Sequence, residues 1–163
     1  MRLIQQLTTP ALALALASTP VFAASEADAT QTTSNPVGSA AEVRQETQEL
    51  LKDLQAYGAE QRDEAVAASQ AALDKADQRI DAMQDWLDEN WSDMSQAARE
   101  QARASMDALR ARRTQVAESY GSMKTSSETA WESMKEGFVG AYQALGDAWD
   151  DSMQALFPED NGS

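Results

Sequence analysis

Apolar residues recur every eleven positions along most of this chain. From Val43 the row runs through Leu54, Ala65, Ala76, Leu87, Ala98, Leu109, Tyr120, Trp131, Tyr142 and Met153 with no polar interruption. Eleven residues make almost three helical turns, so such a row drifts only slowly around an α-helix. The pattern predicts long amphipathic helices.

The helices have readable starts and candidate breaks. Ser39, with Glu42 three residues later, has capping-box spacing ahead of Val43, Leu50, Leu51, Leu54 and Tyr57, which share one face. Gly58 is a first candidate break, although one glycine inside a helix costs only about 1 kcal/mol. From Ala59 the apolar side continues as Val66, Leu73, Ile80, Leu87 and Met94, seven apart, with Ala76 and Met83 beside them. That spacing suits a coiled-coil seam or a bundle face. Asn90 to Asp93 is a second candidate break and Gly121-Ser122 a third, the latter followed by Thr125 and Glu128 at capping-box spacing.

The last helix carries the strongest stripe. Trp131, Met134, Phe138, Tyr142, Leu145, Trp149, Met153 and Leu156 follow steps of three and four, and Pro158 ends the run. Burying eight such side chains is worth roughly 12–24 kcal/mol, at 1.5–3 each. Ordering about thirty residues costs a similar amount, so the stripe needs a partner surface. These eight residues are the candidate apolar packing or binding face. Aromatic residues at helical spacing are more often core; the functional alternative is a face for lipid, another apolar surface or an unfolded client. Membrane-surface helices carry Lys and Arg beside the apolar face, whereas this one offers Lys135 alone, which directs the alternative to neutral surfaces.

A reversal near Met123-Lys124 would set Met106 opposite Tyr142, Ala98 near Trp149 and Met94 near Met153. It would also bring the Arg-rich segment (Arg99, Arg103, Arg110, Arg112, Arg113) beside the acidic last helix, with Arg99 close to Asp147 and Asp150. The eleven-residue phase argues the other way, because an unbroken helix through Gly121 keeps it automatically and a hairpin needs repeat duplication. Reversal is preferred, since one solvated helix of roughly 100 residues could hide its stripe only by oligomerising. The fold class is all-α: an elongated antiparallel helical hairpin or bundle, or a coiled coil, of long amphipathic helices.

Composition sets where and how such a fold works. The first 23 residues read as a secretory signal: Arg2, a short Ala/Leu run from Ala11 to Ala17, and Val21-Phe22-Ala23 for cleavage. Pro10 and Pro20 bracket a run too short to span a membrane, so no transmembrane anchor is expected after cleavage. Residues 24–38 read as a disordered leader, 39–157 as the helical domain and 158–163 as a flexible tail. The expected location is the periplasm or outside the cell. Without Arg2, 12 basic residues face 27 acidic ones, a balance that repels nucleic acid and anionic headgroups. With no cysteine there is no disulfide staple, and helix packing alone must hold the fold.

The same composition removes most catalytic chemistry. With no histidine or cysteine, the chain lacks Ser-His-Asp and Cys-His catalysis, the usual zinc sites and the helical Glu-x-x-His di-iron pattern. No catalytic, cofactor-binding or metal residue is assigned. Asp74, Asp77, Asp81, Asp85 and Asp88 form an acidic stripe, read as a solvated face because calcium sites need a loop that folds oxygens around the ion. Gly137, Gly140 and Gly146 read as permitting close helix approach, and the Arg cluster as internal pairing.

The run Ala130-Trp131-Glu132-Ser133-Met134-Lys135-Glu136-Gly137-Phe138, with Ala141-Tyr142 and Ala148-Trp149, resembles a small bacterial group. Its members are short helical, coiled-coil stress-response proteins with repeats similar to those of exchangeable apolipoproteins. The resemblance spans roughly Gln78 to Leu156 and carries no site residue. It implies an all-helical, non-enzymatic protein acting under stress. The expected function is therefore structural, envelope-stress or chaperone-like, with self-association or protein clients as partners. The alternative is apolipoprotein-like binding of a neutral lipid or other apolar surface through the Trp131–Leu156 stripe.

Overall fold

Three serines start helices, each by accepting a backbone N–H that the first turn would otherwise leave free. Ser39 accepts from Glu42 at 3.1 Å, Ser95 from Ala98 at 3.2 Å and Ser127 from Ala130 at 3.3 Å. In the computed structural model, which describes residues 37–158, four helices result and no strand forms among the described residues. They are α1 (Ala40–Ala56), α2 (Arg62–Asn90), α3 (Gln96–Lys124) and α4 (Trp131–Leu156). A 3₁₀ turn lies in each connection, at Ala59–Gln61, Trp91–Asp93 and Glu128–Ala130. The expected signal sequence, the expected leader up to residue 36 and residues 159–163 of the expected tail lie outside the described residues. Val37, the first described residue, is fully buried; Gly38 follows at φ 83°, a left-handed conformation that favours glycine, and hands the chain to Ser39.

Successive helices run antiparallel. Arg44 meets Asp150, and Tyr57 meets Lys135, which fixes α1 against α4. Asp77 with Arg113, and Gln84 with Arg110, do the same for α2 and α3. Across the bundle α2 and α4 are parallel: Arg62 lies over Trp131, Tyr142 reaches Ala72, and Trp86 packs on Phe157. The result is an up-down-up-down four-helix bundle. The α3–α4 pair makes the most extensive contact of any two helices.

The eleven-residue row is the core line of this bundle. Eight of its members are buried, and Ala76, Ala98 and Tyr120 are half-buried. Ala65, Ala98 and Trp131 each stand just after a reversal, three steps of the row apart. The phase thus survives the turns because a unit of helix plus turn repeats every three steps, not because one helix runs through.

Two of the three expected breaks fall where the sequence placed them, at Gly58 and Asn90 to Asp93. The third does not. Helix α3 continues through Gly121 to Lys124, and Ser127, not Thr125, provides the next cap. The reversal therefore centres on Thr125 to Ser127, later than Met123-Lys124, and residues 101–112 of α3 border 144–155 of α4 along one groove. The expected pairing of Arg99 with Asp147 and Asp150 is absent. Arg99 turns back onto the α2–α3 connection, and Asp150 pairs with Arg44 of α1. Nor do Arg110 and Arg113 face the acidic α4; both reach α2.

Candidate apolar face

The stripe on α4 faces inward. Trp131 and Phe138 are fully buried; Met153, Trp149, Leu145 and Tyr142 are buried, and Met134 and Leu156 are half-buried. Phe138 stacks on Tyr142 with ring centroids 5.8 Å apart, and Tyr120 of α3 meets Phe138 edge-on at 6.5 Å. Offset and edge-on arrangements are the favourable ones for aromatic quadrupoles. The Tyr142 hydroxyl donates to the Ala72 carbonyl at 3.3 Å. Burial pushes its phenol above the ordinary range, with Arg79 pulling against that and Glu46 adding to it. The indole N–H groups of Trp131 and Trp149 are buried with no hydrogen-bond partner.

The covering of this stripe is uneven along the bundle. Helix α3 covers one flank, with Tyr120 on Phe138 and facing alanines along a groove. On the other flank α1 lies over Tyr142, Leu145 and Trp149, closing the seam between α1, α2 and α4 to a cavity of about 20 Å³. The close approach centres on Gly146, where a Cβ would sit 3.4 Å from the Thr47 methyl. Gly137 and Gly140 have nothing within 4 Å of such a Cβ, so they do not serve the close helix approach expected of them.

Helix α1 is tied down by charge. Arg44 reaches Asp150 of α4 at 2.8 Å, while Glu46 receives Arg79 of α2 at 2.6 Å and also Lys75. These are three of the four inter-helix ion pairs among the described residues; the fourth joins Asp77 and Arg113. Burial pushes the Glu46 carboxyl up. Hydrogen bonds and charge from Lys75 and Arg79 outweigh it and hold the carboxyl below the usual range.

A second set of cations seals the turns. Lys135, buried on α4, donates to the Tyr57 carbonyl at 2.7 Å where α1 ends, and pairs with Glu132 at 2.9 Å. Arg99 donates to the Trp91 carbonyl at 2.9 Å, and its guanidinium lies 5.6 Å from the Trp91 ring. Arg62 reaches the Ser126 carbonyl and lies 5.4 Å from the Trp131 ring. A helix end leaves carbonyls without partners, and a cation there also complements the macrodipole. Sequence reading assigned none of these three roles, because the carbonyl partners lie 8 to 78 residues away.

Other surfaces offer little directed chemistry. A groove of about 370 Å³ between the end of α2 and the start of α3 has Leu87, Met106 and Trp91 in its wall. Its rim sets Arg103 and Arg110 against Asp88 and Asp107, so the charges cancel. The acidic stripe of α2 does not converge: Asp74 accepts from Gln70, Asp88 from Gln84, and Asp77 from Arg113. Among the described residues no set of three carboxylates is placed to hold a metal ion, and no helix is long and apolar enough to cross a membrane. Among known proteins, the chain matches no family model, no curated protein and no solved structure.

Proposed function

We propose that this is an exported, non-enzymatic helical-bundle protein with a structural, envelope-stress or chaperone-like role. The observation that carries the reading is how the aromatic stripe is used. Six of its eight residues are buried in the bundle, and the outward faces are mostly charged, polar or small. A fold held by packing, with no disulfide and a strongly acidic surface, stays soluble and folded in an exported setting. The resemblance of Ala130 to Phe138 to bacterial stress-response proteins supports the same role.

The test is far-UV circular dichroism with Trp fluorescence, run in buffer and with neutral liposomes. Cooperative unfolding in buffer, with coincident transitions and an emission spectrum indifferent to liposomes, is the expected result. A blue shift with increased helicity on liposomes would overturn it in favour of the second reading, apolar-surface binding by the α4 face. One observation favours that second reading. The stretch from Tyr142 to Trp149 is covered by the shortest of the four helices, which carries three of the four inter-helix ion pairs among the described residues.

A further inference from the structure

We infer that α1 is an ionic latch: a helix that leaves the bundle as a unit and uncovers Tyr142, Leu145 and Trp149 of α4 while α2, α3 and α4 stay packed. The inference concerns the regulation of the same α4 face. It rests on the apolar-surface reading for what the face is used for, not for the geometry.

Four observations on independent groups lead to it. First, α1 buries little: Ala40, Val43, Thr47 and Leu54 of its 17 residues, with Leu50 and Leu51 half-covered. Second, its polar ties are exposed enough for solvent and salt to compete. Arg44 keeps 56% of its side-chain surface exposed and Lys75 52%, while Glu46 keeps 31%, Asp150 27% and Arg79, the most covered of the five, 14%. Pairs of that kind are weakened by dissolved ions, whereas an apolar seam such as α3–α4 is not. Third, the closed state leaves polar atoms unsatisfied at this seam, since the buried Trp149 N–H and Asp150 Oδ1 have no hydrogen-bond partner. Fourth, the connection is suited to hinging. Tyr57 and Gly58 are extended, and Gly58 is exposed with open space around it. The hinge end is held by the Lys135 hydrogen bond to Tyr57, by the buried Leu54 and by Tyr57 packed half-buried against the core.

The seam also supplies its own lock. A Cβ built at Gly146 lies 3.9 Å from the Thr47 Cβ, within the span a disulfide needs. The protein has no cysteine of its own to interfere. The variant Thr47→Cys/Gly146→Cys therefore pins α1 to α4 when oxidised and frees it when reduced.

The experiment is native-state hydrogen exchange on the wild-type chain and on this variant, with uptake of an apolar fluorescent dye as a second readout. In the wild type, α1 amides should exchange ahead of the buried amides of α3 and α4. Raising NaCl from 0.05 to 1 M should speed α1 about tenfold more than α3, the range in which surface pairs are screened. Oxidising the variant should abolish both the early exchange and the salt-dependent dye uptake, and reduction should restore them. Exchange of α1 in step with α3 and α4 at every salt concentration would overturn the latch, and that result needs no variant to fold. Early exchange of α1, with liposome binding unaffected by the lock, would uphold the latch and remove the apolar-surface reading.

Discussion

The two flanks of α4 are built by different physics. Against α3 the contact is long, built on Tyr120 against Phe138 and on facing alanines with a polar groove beside them, and no ion pair joins the two helices among the described residues. Against α1 it is short, narrowed to a glycine, and tied by Arg44 to Asp150. Apolar burial is roughly additive in area and is not screened by salt, so it suits a part that must stay closed. Exposed ion pairs contribute about 0–1 kcal/mol each and respond to salt and acid, so they suit a part that must come away. One stripe thus serves a permanent core on one side and a conditional one on the other.

The strongest way to break this comparison is to damage the α3–α4 core. Phe138 is fully buried between Tyr120 and Tyr142, and Phe138→Ala should cost about 3–5 kcal/mol of global stability. Urea titration followed by circular dichroism and Trp emission should show one transition, shifted to lower denaturant. A loss under about 1 kcal/mol would mean that the aromatic cluster does not organise the fold.

Overfilling the other flank should act locally. Gly146→Leu places a branched side chain where the Thr47 methyl already stands 3.4 Å from a Cβ, an overpacking that costs about 1–3 kcal/mol. The expected result is early exchange of α1 amides with α3 and α4 still protected. Collapse of all four helices together would show that α1 belongs to the same cooperative unit as the rest.

Acid should separate the flanks further. The Glu46 carboxyl is held below the usual range by Lys75 and Arg79, so its contribution is present above the ordinary carboxylate value. It is lost as pH falls through the lowered one. Below about pH 4, α1 should loosen before α3–α4 does, as read by exchange or by dye uptake. Glu46→Gln should flatten this pH response.

How much of this was legible beforehand depends on the range of each interaction. The helices, their apolar faces and two breaks could be read from Val43 to Met153, because periodicity and caps are local. The eight stripe residues were named as a face, and six of them are buried in the core. The register of α3 on α4 differs from the expected one because the reversal sits at Thr125 to Ser127, where Ser127 caps, and not near Met123-Lys124; Gly121 costs the helix only about 1 kcal/mol, too little to stop it. The long-range partners of Arg44, Glu46, Arg62 and Lys135 could not be read, because each depends on which helices become neighbours; the pairing of Lys135 with Glu132, three residues away, is the local exception. Thr47, a polar residue on an otherwise apolar face, was the one local hint that something small lay opposite.

The smallest expected effect sharpens the comparison at the level of single hydrogen atoms. Gly137, Gly140 and Gly146 lie on one helix and look alike in sequence. Gly137 and Gly140 are exposed within α4 and have no neighbour within 4 Å of an added Cβ. Alanine at either should stabilise the protein by about 0.5–1 kcal/mol, because it removes backbone freedom from the unfolded chain and nothing stands in the way. At Gly146 the same gain is set against crowding of Thr47, so Gly146→Ala should yield less than the other two. The three single variants, compared by urea midpoint, measure how closely α1 is held. Equal gains at all three positions would mean that α1 gives way freely at Thr47, and a net loss confined to Gly146 would mean that it does not.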